Sequence, residues 1–238
     1  MESNTLKVGI FVPCMTDLFG VSTAQNMVKI LENMGLQCQY ASHLTSCGYH
    51  LYEAGDVTTA TLLGGQLIEA FRDVKYVVTC GAGCAAHVRH NFPRLFAHSA
   101  LYNEALQLAD KCYEFSDFVV NVLKRTLPAP ACRHKVVLLQ PGRVLRDYGG
   151  HEAALTLLRS IQGIEIVGTA ELDTSLFFAS QHPKVASELL RQTVHNALQR
   201  QADLIVCTDH TILIQLEGYC SKQEIPLTCL HLVDLLAD

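Results

Sequence analysis

The chemistry this sequence could do rests on cysteines. Cys14 ends an apolar run, Cys47 lies in Thr45-Ser-Cys-Gly48, and Cys84 lies in Gly81-Ala-Gly-Cys84. Soft thiolates offered from three loops suit an iron–sulfur cluster or zinc, because both need deprotonated sulfur held by rigid elements. The competing reading is three small buried apolar side chains, the commoner fate of an isolated cysteine. His87, one helical turn beyond Cys84, could complete a zinc shell of three thiolates and one imidazole. Against that, His87 and His90 flank Arg89 and read as solvent-exposed.

The elements that must position these residues follow from periodicity. Val8 to Val12 is a short apolar run of the buried parallel-strand type. Ser22 and Gln25 fit a capping box, and Ala24, Met27, Val28, Leu31 and Met34 recur at helical spacing until Gly35 ends the helix. Leu36 to Tyr40 alternates like a strand, Asp56 is placed to cap a second helix, and Tyr76 to Thr79 is again a buried strand. Strand and helix in alternation build a parallel sheet whose ligands sit beyond the carboxyl ends of the strands, the edge that all three cysteines occupy.

The pattern occurs twice. Lys7-Val-Gly-Ile-Phe-Val-Pro-Cys14 resembles Lys135-Val-Val-Leu-Leu-Gln-Pro-Gly142 at an offset of 128, which also superposes Tyr76–Thr79 on Leu204–Cys207. Towards the end the offset falls to about 114, matching Phe118-Val119 to Leu232-Val233, so the second copy should lack about 14 residues between Phe92 and Lys111. The expected fold is α/β, two tandem similar units, each a mainly parallel sheet flanked by helices. Residues 1–126 and 132–238 form the units, joined by Leu127-Pro-Ala-Pro-Ala131.

Phe11-Val-Pro-Cys14, Thr45-Ser-Cys-Gly48, Gly83-Cys-Ala-Ala86 and the closing Leu230-His-Leu-Val-Asp-Leu235 resemble the lactate utilization protein A-like family, built from tandem cysteine-rich CCG domains. The resemblance implies a Cys after the first strand of each half, a Cys-Cys-Gly loop and a further Cys after a later strand. Together these would hold iron–sulfur clusters that relay electrons during oxidation of lactate to pyruvate, with other subunits of a lactate utilization complex as partners.

This chain departs from that pattern. Ser46-Cys47-Gly48 stands for Cys-Cys-Gly, leaving Cys14, Cys47 and Cys84, with Ser46 or Cys80 as the candidate fourth ligand. In the second copy Gly142, Thr174-Ser175 and Ile212 stand where the ligands would be. One cluster at most is therefore expected, in the first half, with zinc or no metal on an interaction scaffold as the alternative. Leu176, Phe177, Phe178 and Ile212 are expected to fill the vacated edge of the second half.

Other signals are weaker. Gly81-Ala-Gly83-Cys-Ala-Ala86 matches a dinucleotide fingerprint, but its glycines are more simply read as a tight turn presenting Cys84. Asp209-His210 reads as loop polarity. Cys38 and Cys207 fall within strands, Cys112 in the helical stretch from Leu106 to Tyr113, Cys132 in the connector, and Cys220 and Cys229 beside a loop and a strand. With 49% hydrophobic residues, 17% charged residues and a net charge of −5, the chain is folded and has no basic surface for nucleic acid. No apolar run reaches the length of a membrane span and the start lacks a signal-peptide pattern, so a cytoplasmic protein is expected.

Overall fold

The computed structural model describes residues 6–127, 131–142, 148 and 151–237, and divides the chain into two compact units between Phe115 and Ser116. Of the Pro-rich connector, residues 128–130 lie outside the described set.

In the first unit β1 (Lys7–Phe11) leads into α1 (Cys14–Phe19) and α2 (Val21–Asn33), followed by β2 (Gln37–Tyr40), α3 (Tyr49–Glu53) and α4 (Val57–Ala70). Then come β3 (Tyr76–Thr79), α5 (Ala82–Leu95), α6 (Tyr102–Lys111) and β4 (Cys112–Glu114). The sheet is parallel throughout, in the order β2-β1-β3-β4. Its central strands are covered on both faces, which is why β1 and β3 read as unbroken apolar runs rather than alternating ones. Phe71, Phe92 and Phe96 fill the core against Phe11, Val77 and Leu108. Asp56 caps α4 by accepting a hydrogen bond from the Thr59 N–H. The capping box expected at Ser22 does not form: α2 starts two residues earlier, behind Gly20 with no side-chain cap, because α1 runs almost directly into it.

The boundary falls within α7 (Phe115–Asp117), which leads into the second unit as a π-helical turn at Phe118–Val122. Next are β5 (His134–Gln140), α8 (His151–Ser160), β6 (Ile164–Glu171), α9 (Leu176–Gln181) and α10 (Pro183–Gln199). β7 (Leu204–Cys207), α11 (His210–Lys222), β8 (Thr228–His231) and α12 (Leu232–Ala237) complete it. The sheet, again all parallel, has the order β6-β5-β7-β8.

The repeat is exact at the level of register. Val8 faces Tyr76 and Phe11 faces Thr79 in the first sheet, while Val136 faces Leu204 and Leu139 faces Cys207 in the second, an offset of 128 throughout. The outer strand corrects the later offset: Val77 faces Cys112 and Ile205 faces Cys229, so the matching residues lie 117 apart rather than 114. The missing segment is α6, since a single helix, α11, connects β7 to β8. Cys112 opens β4 instead of lying in a helix.

β6 carries one extra residue. Val136 faces Ile166 but Val137 faces Gly168, so Val167 bulges between them. Arg200 Nη1 donates to the freed Val167 carbonyl at 3.0 Å. A Cβ on Gly168 would lie 2.6 Å from that same nitrogen, so a larger residue there would push the Arg200 guanidinium aside.

Candidate functional site

The carboxyl edge of the first sheet brings three loops together. Cys14 is the first residue of α1, directly after β1; Cys47 lies in the loop between β2 and α3; and Cys84 lies in the first turn of α5, after β3. Two glycines make this convergence possible. Gly48 holds φ +80°, a left-handed conformation, and its missing Cβ would stand 2.9 Å from the Ala60 carbonyl oxygen, so the Cys47 loop can lie flat on α4. Gly81 admits Pro13, whose Cγ would be 2.6 Å from a Cβ there, which draws the β1 and β3 loops together. The glycines of the fingerprint-like motif thus serve close approach of the backbone, and the chain enters α5 at once.

The Cys47 thiol donates to Cys84 Sγ at 3.2 Å, and the Ser46 hydroxyl approaches Cys14 Sγ at 3.9 Å. Ser46 Oγ also accepts from the Gly48 N–H at 3.1 Å, which pins the loop. Cys80 is fully buried and its thiol donates to Thr16 Oγ1 at 3.7 Å, on the α1 side. The sequence-derived set therefore falls into a Cys47–Cys84 pair, a Ser46–Cys14 pair and a more deeply placed Cys80.

His87 overturns the expectation of exposure, for it is 1% exposed. Its ring packs edge-on against Tyr49 and Phe92 and tilted against Tyr52. Nδ1 lies 3.0 Å from Asn91 Nδ2, and Nε2 is buried beside the Cys47 backbone without a hydrogen bond of full geometry. Burial pushes the imidazole down to about 3, the Cys47 carbonyl opposing this and the nearby His50 adding to it. The ring is neutral at physiological pH and braces the Cys47 loop. Around it, the Tyr49 hydroxyl donates to Glu53 within α3, a contact the sequence did not signal.

The second unit keeps the frame and changes the chemistry. Asp209 replaces Gly81 at the helix start and caps α11 by accepting from the Thr211 N–H at 2.8 Å. Ile212 replaces Cys84 and is buried. Gln215 replaces His87, and its Nε2 donates to the carbonyls of Thr174 and Thr211, both at 2.7 Å. Gln140, Thr174, Ser175, Thr208, Asp209, His210 and His231 are all buried, and the His210 and His231 rings stack with centroids 4.9 Å apart. The expected apolar filling is therefore corrected. Leu176, Phe177 and Phe178 are only partly buried on the short α9, and of the four named residues Ile212 alone is fully enclosed. Asp209 and His210 belong to this buried polar edge and not to an exposed loop.

Among the described residues no set of three or more His, Cys, Asp or Glu side chains is grouped closely enough to hold a metal ion. The donor chemistry of the two edges nonetheless differs in kind. The first offers three thiols and a hydroxyl on three loops, a soft set whose donor chemistry suits an iron–sulfur cluster or zinc. Among the described residues the second offers hydroxyl, amide and imidazole groups and a single thiol, Cys207, which is buried and donates to the Asp209 carbonyl at 3.4 Å; this set does not fit a cluster.

Of the other cysteines, Cys112, Cys207, Cys220 and Cys229 are core and Cys38 and Cys132 are partly buried. Burial pushes the thiols of Cys112 and Cys229 up to about 12 and that of Cys38 up to about 11, and it raises Cys207 further. Without a metal these groups stay protonated at neutral pH. Cys220 and Cys229 are hydrogen-bonded to each other inside the second core.

Residues 8–89 match the family model described as CCG, cysteine-rich domain. The first unit thus contains a cysteine-rich domain of the CCG type, carried on a tandem parallel α/β frame. The chain is 28% identical to lactate utilization protein A 1 of Bacillus anthracis over 237 residues, covering 98% of both proteins. It is 27% identical to lactate utilization protein A 1 of Bacillus mycoides, covering 97% of this chain and 96% of that one. It is similar to lactate utilization protein A over nearly its whole length, as the sequence motifs implied. A Helicobacter pylori protein described as hypothetical shares the fold at a TM-score of 0.54 and 13% identity, over 97% of this chain and 48% of that one. Among the described residues no helix is long and apolar enough to cross a membrane.

Proposed function

We propose that the protein is an iron–sulfur-binding electron-transfer subunit of a lactate-oxidising system, with one metal site, in the first unit. The observation that carries this reading is the meeting of Cys47 and Cys84 at 3.2 Å, with Ser46 and Cys14 at 3.9 Å beside them, on the ligand edge of a CCG domain. A bound cluster would accept and pass on single electrons, with other subunits of the complex as donor and acceptor. Cys14, Cys47 and Cys84 would hold it, Ser46 being placed to act as the fourth ligand and Cys80 as the reserve thiol. Gly48, Gly81 and the His87 brace fix the loops that present these groups. The second unit contributes the scaffold.

Anaerobic purification followed by iron, sulfide and zinc analysis and an absorption spectrum tests this. One cluster per chain, lost when Cys14, Cys47 and Cys84 are together replaced by Ser, is the expected result. Stoichiometric zinc, or no metal at all, moves the assignment to a zinc-binding or metal-free interaction scaffold. That second reading is favoured by the absence of a closed three-donor set among the described residues.

A further inference from the structure

We propose that Cys47 and Cys84 form an oxidisable dithiol that closes to a disulfide when the site carries no metal. The two sulfurs lie 3.2 Å apart, well beyond the roughly 2.05 Å of a bond, so the pair is reduced and about 1 Å of movement joins it. The inference stands on this geometry and does not require the metal reading.

The two thiols divide the work by exposure. Cys84 is partly exposed and Cys47 is 2% exposed, so an oxidant meets Cys84 first and Cys47 resolves the product. Cys84 lies in the first turn of a 14-residue helix, at the open end of the site. With hydrogen peroxide as oxidant, the Cys84 thiolate attacks one peroxide oxygen, the O–O bond breaks, and one water leaves after protonation. Cys47 sulfur then attacks the resulting sulfenic acid, the S–O bond breaks, and a second water leaves. Two thiols have lost two electrons and two protons to one peroxide.

Ser46 sharpens the outcome. A thiol there would lie next to Cys47 and could exchange into the new disulfide, whereas a hydroxyl cannot. The chain also contains its own comparison in Cys220–Cys229, a second hydrogen-bonded thiol pair. That pair is 4% and 6% exposed and its thiols are pushed up by burial, so it stays reduced under the same treatment.

The test uses the full chain, stripped of metal under reducing conditions and exposed to a small excess of hydrogen peroxide. Two of the ten thiols should disappear, the mass should fall by two hydrogens, and peptide mapping should show Cys47 linked to Cys84. Cys47→Ser should leave a sulfenic acid on Cys84 that dimedone traps, a readout on the variant itself. Retention of all ten thiols, or a disulfide between any other pair, overturns the proposal. Repeating the oxidation after addition of zinc chloride separates the two readings. Slower closure supports both, and undiminished formation of the same Cys47–Cys84 link supports the dithiol while telling against metal binding.

Discussion

The two units share one strand order and one β1–β3 register, yet their ligand edges have little chemistry in common. Cys84 on one side presents a partly exposed thiol, while Ile212, 128 residues later, is buried and can only pack. The brace from the helix behind the edge survives in different form, as His87 against the Cys47 loop and as Gln215 against the Thr174 carbonyl. The imidazole braces its loop by packing beside the Cys47 backbone, and the amide does so by donating to the Thr174 carbonyl, so one helix position supports the edge loop in both units. Fold and chemistry are thus carried by separate residues: the frame by buried strand residues, the chemistry by a few loop positions.

The sharpest way to break this contrast is metal binding. Replacing Cys14, Cys47 and Cys84 by Ser is expected to abolish bound iron or zinc, whereas Thr174→Ala with Ser175→Ala should leave the metal content unchanged, as elemental analysis would show. Equal loss from both variants would mean that the second edge takes part.

Acid sensitivity comes next. The folded His87 titrates at about 3 against an ordinary 6.5, so between these values the unfolded chain binds the extra proton. Stability is full above pH 6.5 and is lost as the pH falls towards 3, by up to about 5 kcal/mol from this group. His87→Gln imports the residue of the second unit and should flatten the curve. Urea melts of both proteins at pH 7 and pH 4 measure the difference, and parallel losses would sink the assignment. Burial lowers His210 as well, so only the difference between the two proteins isolates His87.

Removing a brace should cost less. Gln215→Ala forfeits two hydrogen bonds to carbonyls and should destabilise by about 1–3 kcal/mol, while Gln215→His should recover part of it. A reverse order would show that the two braces are not equivalent. The smallest effect is expected from Asp209→Ala, which removes the α11 cap for about 1 kcal/mol. Thermal melts resolve both, and an unchanged Asp209→Ala melt would mean that water caps the helix as well.

The doubling, the parallel sheets and the gathering of cysteines at the strand ends were legible because strand runs keep a fixed spacing that a sequence displays directly. What covers a helix is not displayed. His87 looked exposed because Arg89 and His90 surround it in sequence, whereas in space α3 and Phe92 close over it. Cys112 was placed in a helix because the pattern of α6 runs into β4 with no glycine or proline to mark the change. The loss of thiols from the second edge was readable residue by residue. Their polar replacement was not, since Thr174 and Thr208 look like loop residues until neighbouring elements bury them. The signal was present in the offset itself, which pairs His87 with Gln215 and Gly81 with Asp209.

Two sheets with one strand order in a single chain create a hazard during folding, since a strand of one copy can be accepted into the other. The two outer strands are nonetheless not interchangeable in their pairing: β2 meets β1 in unbroken register, whereas β6 meets β5 with one residue extra at Val167. Gly168 and the Arg200 side chain, modest as local features, thereby mark the point at which the two otherwise matching sheets part.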